Sequence, residues 1–200
     1  MTMNTINEKQ FNISELKGIS AKNIEEHLKL YAGYVKHANL IQTEIKKLST
    51  NIDENSFLIN ELNRRFSFEY NGVYNHEIFF ESLSGGAAQI NRESSLYKKI
   101  SAEWDGFENW LKLFKNHSKT RGIGWAGLFY DPKTDSLSNA WVDEQHIGQL
   151  NGTVPILMID MWEHSFVSDY YTSGKGQYVE DFFENLNWSK IEDNYERAIK

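Results

Sequence analysis

The sequence predicts an α+β fold: an N-terminal antiparallel helical hairpin, then a mixed domain in which a three-stranded antiparallel sheet is flanked by helices. Three observations predict it. Apolar residues recur at helical spacing through most of the first half, and the run Ser84-Gly85-Gly86-Ala87-Ala88 then interrupts them. Beyond that run, two β-type segments flank a turn at Asp131-Pro132, and a third short apolar segment follows. Dividing the chain at the glycines gives an α-hairpin domain over residues 1–88 and an α/β domain over 89–200.

The elements follow in order. Ser20 is a candidate N-cap, and Ile24, Leu28, Tyr31, Val35 and Leu40 behind it fall at steps of three to five. Helical spacing continues through Ile41, Ile45, Leu48, Ile52, Leu58 and Leu62. That length means either one long bent helix or a hairpin broken near Ser49-Thr50-Asn51, and the fold assignment takes the hairpin. A further helix is expected over Tyr74 to Leu83, and another from Ser94 to Phe114, where Leu96, Ile100, Trp104, Phe107 and Trp110 share a face. Gly122 to Tyr130 reads as a strand, Asp131 to Asp135 as a turn and Ser136 to Val142 as its partner strand. Val154 to Ile159 is a short buried strand, and Val179 to Leu186 and Lys190 to Ile199 close the chain as helices.

Composition narrows the function. In 200 residues, 40% hydrophobic and 24% charged, a real core is affordable, and six Trp, ten Tyr and twelve Phe fill it with large rigid rings. Cysteine is absent, so any metal must be held by His, Asp or Glu. The net charge of -7 speaks against nucleic-acid binding, and an anionic substrate would need a local positive field. No segment has membrane-spanning length, and the opening residues from Met1 to Ile6 show no leader pattern, so no membrane partner and a cytoplasmic location are expected.

The chemistry concentrates in Asp160-Met161-Trp162-Glu163-His164. If this stretch is helical, Asp160 and His164 lie on one face, where a carboxylate and an imidazole can converge on one ion; the same spacing also serves a surface hydrogen bond. His27, with Tyr31 and Tyr34 behind it, and His76, within Tyr74-Asn75-His76-Glu77-Ile78-Phe79-Phe80, also lie on apolar or aromatic faces, whereas His37, His117 and His146 have polar neighbours. A single buried histidine is ordinarily a hydrogen-bonded core residue; three together with an aspartate make a better case for a metal.

These segments resemble the iron/manganese superoxide dismutases. Leu16 to Ser20 leading to Glu26-His27 and Tyr34-Val35 is similar to that family's first-ligand segment, and Asn75-His76 with its aromatics to the second. Gly122-Ile123-Gly124-Trp125-Ala126 resembles its Gly-Ser-Gly-Trp strand, Asp160 to His164 its Asp-x-Trp-Glu-His signature, and Asn187-Trp188 its last turn. The resemblance runs from about Leu16 to Ala198. It implies that His27, His76, Asp160 and His164 bind one manganese ion, with iron as the alternative, and that a solvent molecule is the fifth ligand. It implies dismutation of superoxide to dioxygen and hydrogen peroxide as the metal cycles between 3+ and 2+. Tyr34 would be the gate, Gln145 the partner of the bound solvent as in manganese-type members, and Gly72 the vacated iron-type glutamine position. Trp125 and Trp162 would wall the pocket, and Glu163 would reach a ligand histidine of the partner in a homodimer.

Several positions depart from the family pattern. Tyr31 stands where the family usually has histidine, Val167 where it has the interface tyrosine that meets that histidine, and Tyr34 arrives seven residues after the first ligand instead of eight. Phe80 and Gly127 replace pocket tryptophans, and Lys175, within Thr172-Ser173-Gly174-Lys175-Gly176, replaces the funnel arginine as a flexible point charge that could attract superoxide. These departures motivate an alternative, a non-catalytic metal-binding homologue serving as a structural or interaction module. An unrelated metal hydrolase has less support, because no further carboxylate is placed as a general base.

Overall fold

Ser20 starts the first helix as expected: its side chain accepts from the Asn23 N–H at 3.1 Å, and α1 runs Ala21–Leu48. The computed structural model describes residues 5–200; Met1 to Asn4, part of the opening stretch without a leader pattern in the sequence reading, lie outside the described residues. Lys46 and Lys47 complement the carboxyl end of α1, and a 3₁₀ turn over Ser49–Asn51 breaks the chain where the sequence placed the break. The second arm, α2, spans Ile52–Leu83 without interruption.

That continuity corrects the sequence reading, which left residues 63–73 unassigned and began a helix at Tyr74. Phe66-Ser67-Phe68-Glu69-Tyr70 alternates like a strand, which masks the helical face. In the fold, Glu69, Gly72, Val73, His76, Phe80 and Leu83 are buried at steps of one, three and four, the signature of one helix packed along one side.

A second correction falls after the glycines. The single helix expected from Ser94 to Phe114 is two, α3 (Ser95–Glu103) and α4 (Phe107–Ser118). Asp105 at φ 52° and Gly106 at φ 131° turn the chain between them, a conformation glycine tolerates and a helix does not. Ser94 caps α3 by accepting from Tyr97 N–H at 3.2 Å.

The strands lie near their expected positions: β1 (Gly124–Asp131), β2 (Ser136–Asp143) and β3 (Val154–Asp160), in the order β2-β1-β3 with both pairings antiparallel. The central strand is buried on both faces, so it reads as a continuous apolar run. Its register sets Trp125 between Val142 and Asp160. Short helix α5 (Val167–Tyr170), then α6 (Lys175–Asn185) and α7 (Trp188–Ala198), complete the chain. Phe79 of α2 stacks on Phe182 of α6 at 5.4 Å between centroids, and Asn194 of α7 donates to the Ile156 carbonyl at 3.1 Å. One apolar core therefore joins the hairpin to the sheet, reaching from Tyr31 and Phe80 through Trp125 to Tyr178 and Ile191. No helix among the described residues is long and apolar enough to cross a membrane.

Gly127 shows how tightly this core is filled. A Cβ there would lie 2.4 Å from Phe129 Cε2 and 2.6 Å from Met158 Sδ, so those side chains occupy the volume a residue at 127 would need. Gly127→Ala is expected to destabilise the protein by about 1–3 kcal/mol through overpacking, read as a lowered denaturation midpoint at unchanged slope.

Candidate metal centre

Four elements deliver the candidate ligands. His27 comes from the second turn of α1, His76 from the last third of α2, Asp160 from the end of β3 and His164 from a 3₁₀ turn over Glu163–Ser165. No α-helix runs through residues 160–164, which corrects the premise that a helix face pairs Asp160 with His164. Instead, Asp160 Oδ1 accepts from the Trp162 backbone N–H at 2.8 Å, a local turn that aims Oδ2 inward and folds His164 back over it.

The result is a cluster around one oxygen. His27 Nε2 and His164 Nε2 each lie 3.1 Å from Asp160 Oδ2, and His76 Nε2 lies 3.5 Å from it. One ligand atom from each of the four residues falls within 4.8 Å of all the others. Asp160, His76 and His27 are buried, and the His164 side chain is 24% exposed, so the site opens on one side only.

Second contacts fix these groups. His76 Nδ1–H donates to the Gly72 carbonyl at 2.5 Å, leaving Nε2 with its lone pair and no protein partner. Tyr178 donates to the Asp160 carbonyl at 3.0 Å, a buried contact that no sequence signal announced. Burial pushes the His27 imidazole down, and burial with His27 alongside pushes His76 down to about 3, so both stay neutral. Burial alone would raise the Asp160 carboxyl, but the imidazoles of His164 and His27 hold it well below the usual carboxylate range. Neutral imidazoles beside an ionised carboxylate are the protonation states a metal requires. Donor separations of 3.1–3.5 Å suit an ion with bonds of about 2.1 Å, and the partnerless His76 nitrogen asks for one.

The comparisons agree with this geometry. Residues 92–194 match the family described as iron/manganese superoxide dismutases, C-terminal domain. The chain is 34% identical to a Mn/Fe superoxide dismutase of Aeropyrum pernix over 86% of its own length and 80% of that protein. It is 32% identical to an iron superoxide dismutase of Aquifex aeolicus, over 92% and 88% of the two chains. With one of Cupriavidus metallidurans, also named as the iron enzyme, identity is 30% over 94% and 93%.

The chain belongs to the iron/manganese superoxide dismutase family.

Gln145 is fully buried, not an exposed loop residue: its Oε1 accepts from Trp125 Nε1 at 2.9 Å and its Nε2 donates to Tyr34 Oη at 3.0 Å. The indole can only donate, so it fixes the amide orientation and makes Tyr34 the acceptor. The Tyr34 ring lies 5.0 Å from that of His76, and a Cβ on Gly72 would sit 2.4 Å from it. Burial and the nearby Asp160 charge push the Tyr34 phenol well up, so it keeps its proton. Asn75, noticed only as a neighbour of His76, donates to the Gln145 carbonyl at 3.0 Å.

Trp125 meets His76 edge-on at 4.9 Å, and Trp162 stacks on His164 at 5.9 Å while donating to the Glu144 carbonyl at 3.1 Å. Glu144 holds φ 52°, a left-handed backbone immediately before Gln145. Glu163 is exposed. Lys175 begins α6 with its ammonium donating to the Thr120 carbonyl at 2.7 Å, over the Trp141 ring at 5.4 Å, and burial lowers its pKa. Tyr31 is buried and its phenol bonds within the chain, to Lys9 N–H and Glu77. His76→Ala is expected to lower bound manganese or iron at least about tenfold, measured by elemental analysis of the folded, purified variant.

Proposed function

We propose that this protein is a superoxide dismutase using one manganese ion, with iron as the alternative, held by His27, His76, Asp160 and His164. The observation that carries the reading is the convergence of three imidazole Nε2 atoms on one buried carboxylate oxygen, with the His76 nitrogen lacking a hydrogen-bond partner among the described residues. When bound, such an ion supplies one-electron chemistry between its 3+ and 2+ states: one superoxide is oxidised to dioxygen and a second, with two protons, is reduced to hydrogen peroxide.

The chain's own residues manage the proton and the water. Trp125 orients Gln145, Gln145 donates to Tyr34, and the Tyr34 hydroxyl proton is left for the pocket. One Gln145 N–H also remains for a group in the pocket, where it can tune that group's acidity. Phe79, Phe80 and Trp125 exclude bulk water on the inner side, since all three are buried against the histidines.

The lean toward manganese rests on Gln145 at the manganese-type position and on Gly72, where a glutamine would displace the Tyr34 ring. The intact Trp125–Gln145–Tyr34 chain also speaks against the non-catalytic alternative. The ligands divide two and two between residues 1–88 and 89–200, and that division supports reading the halves as separate domains. Exposed Glu163, next to ligand His164, supports a homodimer in which it meets a ligand histidine of the partner. A cytoplasmic location completes the reading. Lys175 enters it only as a fixed positive charge, because its ammonium is engaged by backbone carbonyls.

The test compares superoxide loss by manganese-loaded and iron-loaded protein with His164→Ala as control. Activity is expected with manganese, abolished in the control, and lowered by about ten- to hundredfold in Gln145→Ala. Stoichiometric metal without activity would contradict the proposal.

A further inference from the structure

The segment from Thr5 to Leu16 has no regular secondary structure, yet it is tied along the seam between α1 and α2. Asn39 of α1 clips the Ile6 backbone at both ends, its Oδ1 accepting from Ile6 N–H at 2.9 Å and its Nδ2 donating to the Ile6 carbonyl at 2.8 Å. Farther along, Asn12 accepts from Gly85 N–H through its carbonyl at 2.8 Å. Between these ties lies Lys9, whose N–H donates to Tyr31 Oη at 2.9 Å and whose ammonium lies 2.6 Å from Glu77 and 2.9 Å from Glu81.

Tyr31 in turn donates to Glu77 Oε1 at 3.1 Å. This bond staples the two helices beside both of their ligands: Tyr31 sits one turn after His27, and Glu77 is the residue after His76. Glu77 is almost fully buried, so its carboxylate depends on the phenol and on Lys9 for neutralisation. Both hydrogen-bonding capacities of the Tyr31 hydroxyl are used inside the chain, and Val167 offers no polar atom to reach for it from a partner.

His27 makes this staple matter. Its Nδ1 is buried without a hydrogen-bond partner among the described residues, unlike that of His76, so beyond the Nε2 contact with Asp160 the ring is set by packing. Phe80 supplies much of that packing at 4.9 Å, and Phe11 of the strap presses on Phe80 at 5.3 Å and on Tyr31 at 5.6 Å. We infer that residues 5–12, knotted through Tyr31 and Glu77, form an intrachain clamp that positions His27 and His76 and sets how long the metal is retained. Tyr31, Lys9 and Phe11 are positioning residues, and the inference rests on the metal-centre reading above.

The test follows release of manganese from the loaded full-length protein into a chelating dye, for wild type, Tyr31→Phe, Lys9→Ala and the control His37→Ala on the exposed face of α1. Thermal melting and gel filtration accompany each variant. Release is expected to quicken by roughly ten- to hundredfold in Tyr31→Phe, by less in Lys9→Ala and not at all in the control, at unchanged molecular size. Release within about twofold of wild type in both variants overturns the clamp, and so does acceleration that appears only with dissociation into monomers. A wild-type protein that holds neither manganese nor iron overturns the metal-centre reading itself, and the clamp falls with it.

Discussion

A buried carboxylate surrounded by three imidazoles is the constraint on which this structure turns. Asp160 Oδ2 faces His27, His76 and His164, and among the described residues no other side chain pairs with it. Removing a carboxylate from water is costly, and two of those imidazoles are themselves driven neutral by burial. The arrangement is stable as a ligand shell and poorly suited to a protein core. The hairpin, the sheet register and the turn at Trp162 each place one member of this shell, so the fold is organised around it.

Much of this was legible in the sequence because the ligands lie in segments with strong local patterns. Ser20, the break at Ser49–Asn51 and the three strands follow from capping, turn chemistry and alternation. The middle of α2 was not legible, since phenylalanines at alternate positions imitate a strand and only tertiary packing selects the helix. Nor was the turn between α3 and α4, although Asp105-Gly106 marks it. At the site, residue types singled out the four candidate ligands and the family resemblance joined them, but the Asp160–His164 pair is formed by a strand end and a 3₁₀ turn, which spacing alone cannot distinguish from a helix. Tyr178 escaped because a buried tyrosine that hydrogen-bonds a backbone carbonyl has no sequence signature.

The departures from the family pattern have local physical explanations. Gly127 leaves room that Phe129 and Met158 fill, and Gly72 leaves room for the Tyr34 ring, so each glycine is paired with an aromatic that needs its missing side chain. Tyr31 is turned inward, accepting from the Lys9 N–H and donating to Glu77. Lys175 has exchanged the mobility of a surface lysine for backbone carbonyls. The hydrogen-bonded chain of Trp125, Gln145 and Tyr34 is meanwhile closed within the protein.

The central claim is that the four converging side chains hold a single redox metal. Anomalous diffraction from crystals of the metal-loaded protein, collected at the manganese and iron absorption edges, tests it most directly. The account predicts one strong peak per chain enclosed by His27, His76, Asp160 and His164. A cluster without a peak, or a metal bound elsewhere while these four residues stay in mutual contact, would contradict it.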